Sequence, residues 1–404
     1  MKTPELLAPA GNFEKLITAL HYGADAVYLG LSEFSLRAKA GNFDEDGLIK
    51  AVELVHQKGK RIYITANIIP HSRDISPIKD HLTFLKRAKP DGIIISDLGI
   101  FEMAKDISPE IPIHISTQAN ITNPKTALFW EKAGAKRLVL ARELAIDEIK
   151  EIRDSVSIEL ECFVHGAICI SYSGRCYISS FLANRPANHG ECTNSCRWNY
   201  TLMEEKRPDE FHPVYEDKRG TYMMSSKDLC MLEHLDKLAD AGIDSFKIEG
   251  RMKGINYVAG VIKTYREAVD SLKDRPYVVQ ERWLRELSMI SSRGYTTGMF
   301  LGKQPDEDYN HNEENVYRMS HDLVGIVRSV HNGRIDILLR NNLSTGDSVE
   351  FLSTGLEDRS FIVDDICNEK GKHVDVGRNE EIVSIPSVDG VRENDLIRRV
   401  KSDN

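Results

Sequence analysis

A (β/α)8 TIM-like barrel with a long cysteine-bearing insertion after strand seven, followed by a small C-terminal antiparallel β-barrel, is the architecture this sequence predicts. Three observations predict it. Over the first 270 residues, eight short β-rich runs alternate with segments of helical period. Several helical segments end in a glycine just ahead of the next strand (Gly23, Gly59, Gly134, Gly242), the C-cap signal of a helix-to-strand connection. Beyond residue 320, short β-rich runs recur at regular intervals between turn residues.

The eight runs are 5–10 (ELLAPA), 26–30 (AVYLG), 61–68 (RIYITANI), 92–96 (GIIIS), 111–117 (IPIHIST), 137–142 (RLVLAR), 158–164 (IELECFV) and 245–250 (SFKIEG). Between them lie segments such as FEKLITALHYGA, GLIKAVELVHQKGK and AIDEIKEIRDSV, whose apolar residues recur with helical spacing. A doubly wound open sheet is the rival arrangement. The count of eight and the lack of a GxGxxG after the first strand favour the closed barrel. About 80 residues separate the seventh and eighth runs, far more than an ordinary crossover. This insertion leaves from the carboxyl end of a strand, the end at which a barrel builds its active site. The barrel domain is placed at 1–305, with the insertion at 168–244, a polar acidic linker at 306–319 and the small β domain at 320–404. The runs VGIVRSV, RIDILLR, DSVEFLS, FIVDDI, EIVSIP and DLIRRV are the expected strands of that last domain.

Composition is that of an ordinary globular protein: 404 residues, 41% hydrophobic and 28% charged. The opening MKTPELLAPAGNF lacks the basic and then apolar regions of a signal peptide. No apolar run approaches the roughly 20 residues that span a bilayer. A cytoplasmic protein with no membrane partner is the expectation. The net charge of −9 argues against indiscriminate nucleic-acid binding, although a local basic groove is compatible with it. Residues 311–404 hold 12 Lys+Arg and 18 Asp+Glu, so two thirds of that net charge sits in the last part of the linker and the small domain together.

In a reducing compartment, clustered cysteines point to metal or catalysis before disulfides. Cys169, Cys176, Cys192 and Cys196 lie in a loop rich in Gly, Ser, Asn and Pro, with Cys230 further on. Cys162 falls within a predicted strand, where a buried free thiol is the plain reading, and Cys367 belongs to the small domain. The spacing C-x6-C-x15-C-x3-C contains only one of the tight pairs that zinc sites use twice over. Iron–sulfur sites tolerate more irregular spacing, so a cluster is favoured over zinc.

The run Glu161-x-Phe163-x-x-Gly166-Ala167-Ile168-Cys169-x4-Gly174-x-Cys176-x-Ile178-Ser179 resembles the signature of the collagenase-like peptidase family. ELLAPAGNFE, GADAVYLG, STQANITN, KIEGRMK and RGYTTG extend the resemblance over nearly the whole chain. It is closest to the branch of iron–sulfur tRNA hydroxylation proteins. Other members serve ribosomal RNA hydroxylation and oxygen-independent ubiquinone hydroxylation. The resemblance implies a 4Fe-4S cluster on Cys169, Cys176, Cys192 and Cys230, with Cys196 the alternative to Cys192. It also implies transfer RNA as partner, prephenate as an auxiliary substrate, and a paralogous protein as a further partner.

Other residues fall at predicted strand ends. Glu161 and His165 flank Phe163; Ser116, Thr117, Gln118 and Asn120 close the fifth strand; Arg142 and Glu143 close the sixth; Lys247, Glu249 and Arg251 close the eighth. Residues two apart in a strand face the same way, so the last three are expected to point together at the barrel axis, either as an anion-binding set or as a salt-bridge network. Glu161, His165, Lys247 and Glu249 are the expected catalytic residues, with His165 as an acid–base group if it is not a structural histidine. Arg142, Arg175 and Arg251 are the expected cofactor- or substrate-binding cations, and Arg197 shares with Arg175 a position beside a cysteine. Gly174 should permit the sharp turn that lets two ligands seven residues apart converge.

Three functions compete. The first is an iron–sulfur-dependent hydroxylase, forming 5-hydroxyuridine in transfer RNA. The second is a peptidase, as the family name states, although neither an HExxH helix nor a GxSxG elbow is present. The third is a binding module in which zinc staples a loop.

Overall fold

The computed structural model describes residues 3–31, 34–36, 43–169, 171–198, 215–217, 220–222, 227–302, 320–354 and 359–401. The expected linker at 306–319 and the side chain of Arg197 lie outside them.

Eight parallel strands close into a barrel: β1 (Glu5–Pro9), β2 (Ala26–Leu29), β3 (Arg61–Ala66), β4 (Gly92–Ile95), β5 (Ile113–Ile115), β6 (Arg137–Val139), β7 (Glu159–Ala167) and, after the insertion, β11 (Ser245–Ile248). Each pairs in parallel with the next, and β11 closes the ring by pairing with both β7 and β1. The helices between them are α1 (Phe13–His21), α2 (Glu45–Gln57), α3 (Ile75–Ala88), α4 (Leu98–Ile107), α5 (Pro124–Ala133) and α6 (Ile146–Ser155). Asn12, Asp44, Asp97 and Asn123 cap α1, α2, α4 and α5 by accepting a first-turn backbone N–H. The four glycines expected to end helices all have positive φ, between 64° and 107°. Alternation sorts the strand side chains. Leu6, Ala8, Val27, Leu29, Ile62, Ile64, Ile93 and Ile95 join the core under the helices, whereas Leu7, Ala26, Tyr28, Tyr63 and Ile94 form a separate cluster inside the ring.

The insertion contributes α7 (Ile178–Ala183), a hairpin of β8 (Tyr215–Asp217) and β9 (Gly220–Tyr222), then β10 (Asp228–Cys230) and α8 (Leu235–Asp240). Strand β10 runs antiparallel along the far end of β7, Cys230 opposite His165. It also pairs with β12 (Tyr295–Thr296), which follows the buried helix α9 (Ile255–Ser271) and the amphipathic α10 (Glu281–Met289).

The C-terminal strands are β13 (His321–His331), β14 (Arg334–Leu339), β15 (Leu343–Ser344), β16 (Ser348–Leu352), β17 (Arg359–Ile362), β18 (Cys367–Asn368), β19 (Val376–Gly377), β20 (Ile382–Pro386) and β21 (Leu396–Val400). Seven of them form an antiparallel half-barrel in the order β17-β16-β21-β13-β14-β20-β18, wrapped on its own apolar core. It is bolted to the barrel by buried polar contacts. Tyr22 donates to the Leu352 carbonyl (2.6 Å) and accepts from the Leu396 N–H (2.9 Å). The fully buried Arg398 forks onto Glu286 at 2.5 and 2.7 Å. Among the described residues, no helix is long and apolar enough to cross a membrane.

Candidate active site at the barrel mouth

At the carboxyl ends of the strands, the cysteine loop folds back over the barrel and encloses a cavity of about 120 Å3. Cys169, Cys176 and Cys192 line it from the loop; Arg142, Lys247, Glu249 and Arg251 line it from the strand ends. Residues from the most distant parts of the predicted set therefore meet in one place.

Specific bonds hold the loop down. Glu143, just past β6, accepts from the Ser173 backbone N–H (2.7 Å) and hydroxyl (3.2 Å). Gly174 has φ +74°, and a Cβ there would stand 2.1 Å from the Gln118 carbonyl oxygen. Glycine is thus required both by the turn and by the close approach of the loop to the end of β5. Asn188 donates to the carbonyls of Gly174 and Cys176, both at 3.3 Å, while its own carbonyl accepts from the Ile69 N–H at 2.9 Å. His189 meets Asp74 at 3.0 Å. The loop is in this way tied to the exits of β3, β5 and β6.

The four residues expected to be catalytic divide. Glu161 is fully buried below the cavity, bound to Lys247 (2.7 Å) and Arg137 (3.0 Å). Arg137 also holds Glu5 (2.7 Å) and Glu159 (2.6 Å), Tyr63 donates to Glu5 (2.8 Å), and Arg61 pairs with Glu5. Three carboxylates and three cations thus form a column along the axis. Burial alone would raise the Glu161 carboxyl, but Lys247 and then Arg137 outweigh it and hold it below the usual range. Lys247 tops the column, its ammonium 4.5 Å from the Tyr28 ring centroid and 5.4 Å from that of Phe163. Glu249 accepts from the Tyr28 hydroxyl at 3.1 Å. Arg251, almost fully buried, donates to Ser35 (2.6 Å) and Thr65 (3.1 Å). The buried Arg142 Nε has no hydrogen-bond partner among the described residues, a donor available to a ligand.

His165 is elsewhere, and a bulge is the reason. In the β7–β11 ladder Lys247 faces Phe163, but Ile248 faces His165, so β7 carries one extra residue. The bulge turns His165 off the axis into the helix layer, with ring centroids of Tyr265, Tyr295 and Tyr257 at 5.3, 5.4 and 5.9 Å. Burial pushes its pKa down to about 3, so it is neutral. Cys230, paired opposite, shares that side. Its thiol lies 3.7 Å from the Tyr265 hydroxyl, and burial raises its pKa. Tyr257 also lines a neighbouring cavity with Cys169 and Cys192. Arg175 is exposed on the loop, Cys196 is half-buried, and neither lines either cavity. Cys162 is buried in the core as a strand thiol. The Cys192 sulfur accepts the Asn194 backbone N–H at 3.4 Å.

The donor chemistry fits a thiolate-bound metal group. None of the seven cysteines is in a disulfide, and three of them line one cavity. Sequence reasoning missed Tyr28, Thr65, Asn67 and Asn188 on the cavity wall. Thr65 and Asn67 were within reach of the alternation argument used for Lys247, Glu249 and Arg251. Asn188 carried no signal in the sequence.

Comparison with known proteins gives a consistent picture. The sequence profile of Peptidase family U32 matches residues 11–310, and that of the Peptidase family U32 C-terminal domain matches 319–398. The chain is 39% identical to tRNA hydroxylation protein P1 of Bacillus subtilis, covering 94% of this chain and 90% of the relative. It is 36% identical to tRNA hydroxylation protein P of Escherichia coli, covering 92% and 91%. It is 34% identical to a collagenase of Porphyromonas gingivalis, covering 75% of each.

Proposed function

The chain belongs to peptidase family U32, and from that premise we propose that it acts in the hydroxylation of transfer RNA, forming 5-hydroxyuridine with an iron–sulfur cluster at the barrel mouth. The observation that carries this reading is the meeting of Cys169, Cys176 and Cys192 with Arg142, Lys247, Glu249 and Arg251 around one cavity. Identity of 36–39% over more than nine tenths of the chain to tRNA hydroxylation proteins supports the substrate class.

Cys169, Cys176 and Cys192 would hold the cluster, with Cys196 as the alternative to Cys192 and Cys230 as the fourth ligand carried over from the family resemblance. A 4Fe-4S cluster bound there supplies single-electron chemistry. The protein's own groups bind and orient. Arg251, aimed by Ser35 and Thr65, and Arg142 suit a carboxylate such as those of prephenate. Lys247 and Glu249 suit the polar edge of a base that has left its stack. Tyr172, Tyr177 and Phe181, exposed on the cysteine loop, offer stacking faces at the rim. Stacking and local cations can serve binding where the overall charge of −9 does not. The site of action would be the cytoplasm, where its substrate is, with a paralogue as a further partner.

Mass-spectrometric nucleoside analysis of transfer RNA from cells with and without the gene tests the reading. Loss of 5-hydroxyuridine derivatives on deletion is expected. An unchanged wobble uridine, with no redundant homologue present, would move the activity to another hydroxylation substrate.

The collagenase relative favours a peptidase as the second reading. A thiol nucleophile needs a base within hydrogen-bond reach, and no histidine lines the cavity among the described residues. Purified, metal-loaded protein should therefore not cleave peptides. Cleavage abolished by Cys176→Ala but indifferent to loss of the cluster would establish the peptidase instead.

A further inference from the structure

The half-barrel carries a second constellation, remote in sequence from the mouth. Among the described residues, Asp365, Cys367 and His373 are the one group of three whose ligand atoms lie within 4.8 Å of one another. Local geometry brings them together. Asp365 and Cys367 are two apart in an extended segment and so share a face. Cys367 and His373 form an antiparallel bridge across a turn, which Asn368 staples by accepting the N–H groups of Lys370 (3.0 Å) and Lys372 (3.1 Å). Gly371, at φ +71°, supplies the reversal.

Two chemistries could use a thiol, an imidazole and a carboxylate. A nucleophilic relay needs the ring between its partners, one nitrogen toward each. Here both partners approach the same atom: His373 Nδ1 is 2.5 Å from Asp365 Oδ1 and 3.7 Å from Cys367 Sγ. That arrangement is convergent, as in a chelate. Cys367 Sγ lies 3.9 Å from Asp365 Oδ2. In a tetrahedral zinc site, bond lengths of 2.0–2.3 Å place neighbouring donors about 3.3–3.5 Å apart. The two sulfur distances need to contract slightly and the N–O distance to open. The His373 side chain, 79% exposed, can swing to allow it.

The surroundings also resemble those of a ligating carboxylate. Arg334 grips Asp365 Oδ2 at 2.7 Å while anchoring itself on the Ser384 hydroxyl and carbonyl, both at 2.7 Å. Oδ1 is left facing the imidazole, and its carboxylate is oriented by an outer hydrogen bond. Two anionic ligands would balance a divalent ion.

We propose that Asp365, Cys367 and His373 form a site for a zinc-class divalent cation, with a fourth position open to water. It is independent of the cluster proposed at the mouth, and either can fail without the other.

Cobalt(II) titration of the full chain bearing Cys169→Ser, Cys176→Ser and Cys192→Ser tests it with the three thiols of the mouth cavity removed. One equivalent should bind with a thiolate-to-cobalt charge-transfer band. Cys367→Ser should abolish that band, and His373→Ala or Asp365→Asn should weaken binding at least tenfold. Absence of the band, or its survival in Cys367→Ser, would refute the site. Should the triple variant not fold, the unaltered chain serves. Zinc should slow modification of His373 by diethyl pyrocarbonate at least fivefold, read by peptide mass spectrometry, and Cys367→Ser should remove the protection. An unchanged rate would mean an ordinary surface Asp–His pair.

Discussion

The two ends of the barrel axis use similar residues to opposite effect. At the bottom, Arg137, Lys247 and Arg61 face Glu5, Glu159 and Glu161, and each charge meets its counter-charge within hydrogen-bond distance or salt-bridge contact. At the mouth, Arg142 keeps a buried Nε without a partner among the described residues, Arg251 donates to the Ser35 and Thr65 hydroxyls, and three thiols face the same space. A closed set of pairs has no capacity left for a ligand and serves to fix strands in register. A buried donor with no partner among the described residues, such as Arg142 Nε, keeps that capacity for something else. Lys247 stands at the boundary, its ammonium on Glu161 and its stem on the cavity wall.

The largest expected effect lies at the cysteines of the proposed cluster. Replacing Cys169, Cys176, Cys192 or Cys230 singly with Ser should lower iron content and reduce hydroxylation by at least about 100-fold. The stability of the metal-free chain should move by less than about 1 kcal/mol at the partly exposed sites. Anaerobic reconstitution with iron and sulfide counts decides it. Loss of the cluster in Cys196→Ser, with retention in Cys192→Ser or Cys230→Ser, would redraw the ligand set.

At the bottom the order reverses, with stability affected more than chemistry. Arg137→Ala leaves the buried Glu161 with Lys247 alone and Glu5 with Arg61 and Tyr63, and should cost about 3–5 kcal/mol in denaturant unfolding. Iron per folded molecule should not change. The same column has a pH signature. Because the folded Glu161 pKa is depressed, its contribution is fully present above the unfolded value of about 4.3 and is lost as pH falls through the folded value. Arg137→Met should flatten that acid limb. A variant that lost iron while keeping its stability would erase the distinction between the two ends.

Gly174→Ala joins the two kinds of effect. Its positive φ and the 2.1 Å approach of a Cβ to the Gln118 carbonyl should displace the loop. A cost of about 1–3 kcal/mol is expected, together with a fall in iron content that Cys162→Ser does not share. Cys162 is buried in the core of β7, so its replacement should cost about 1–3 kcal/mol for the buried hydroxyl and leave iron in place. The smallest effect should come from Cys367→Ser, with iron content and hydroxylation unchanged, since that thiol belongs to the half-barrel.

The sequence by itself determined the alternation of eight strands with helices. Period-two and period-3.6 patterns are local, and the glycines that end the helices must adopt positive φ wherever the chain goes. It also determined six of the nine C-terminal strands. It missed β15, β18 and β19, each two residues long and too short to carry a period. The gathering of thiols at the mouth was legible because an insertion after β7 has only one end of the barrel to leave from. Tertiary structure decided which polar residues remain available. Lys247, Glu249 and Arg251 look equivalent by alternation, but only register places Lys247 against Glu161 and Arg251 against Ser35 and Thr65. One extra residue in β7 turned His165 from the axis to the helix layer, and β10 took Cys230 with it. A bulge is an offset between two strands 80 residues apart in sequence, so no window of either strand contains it.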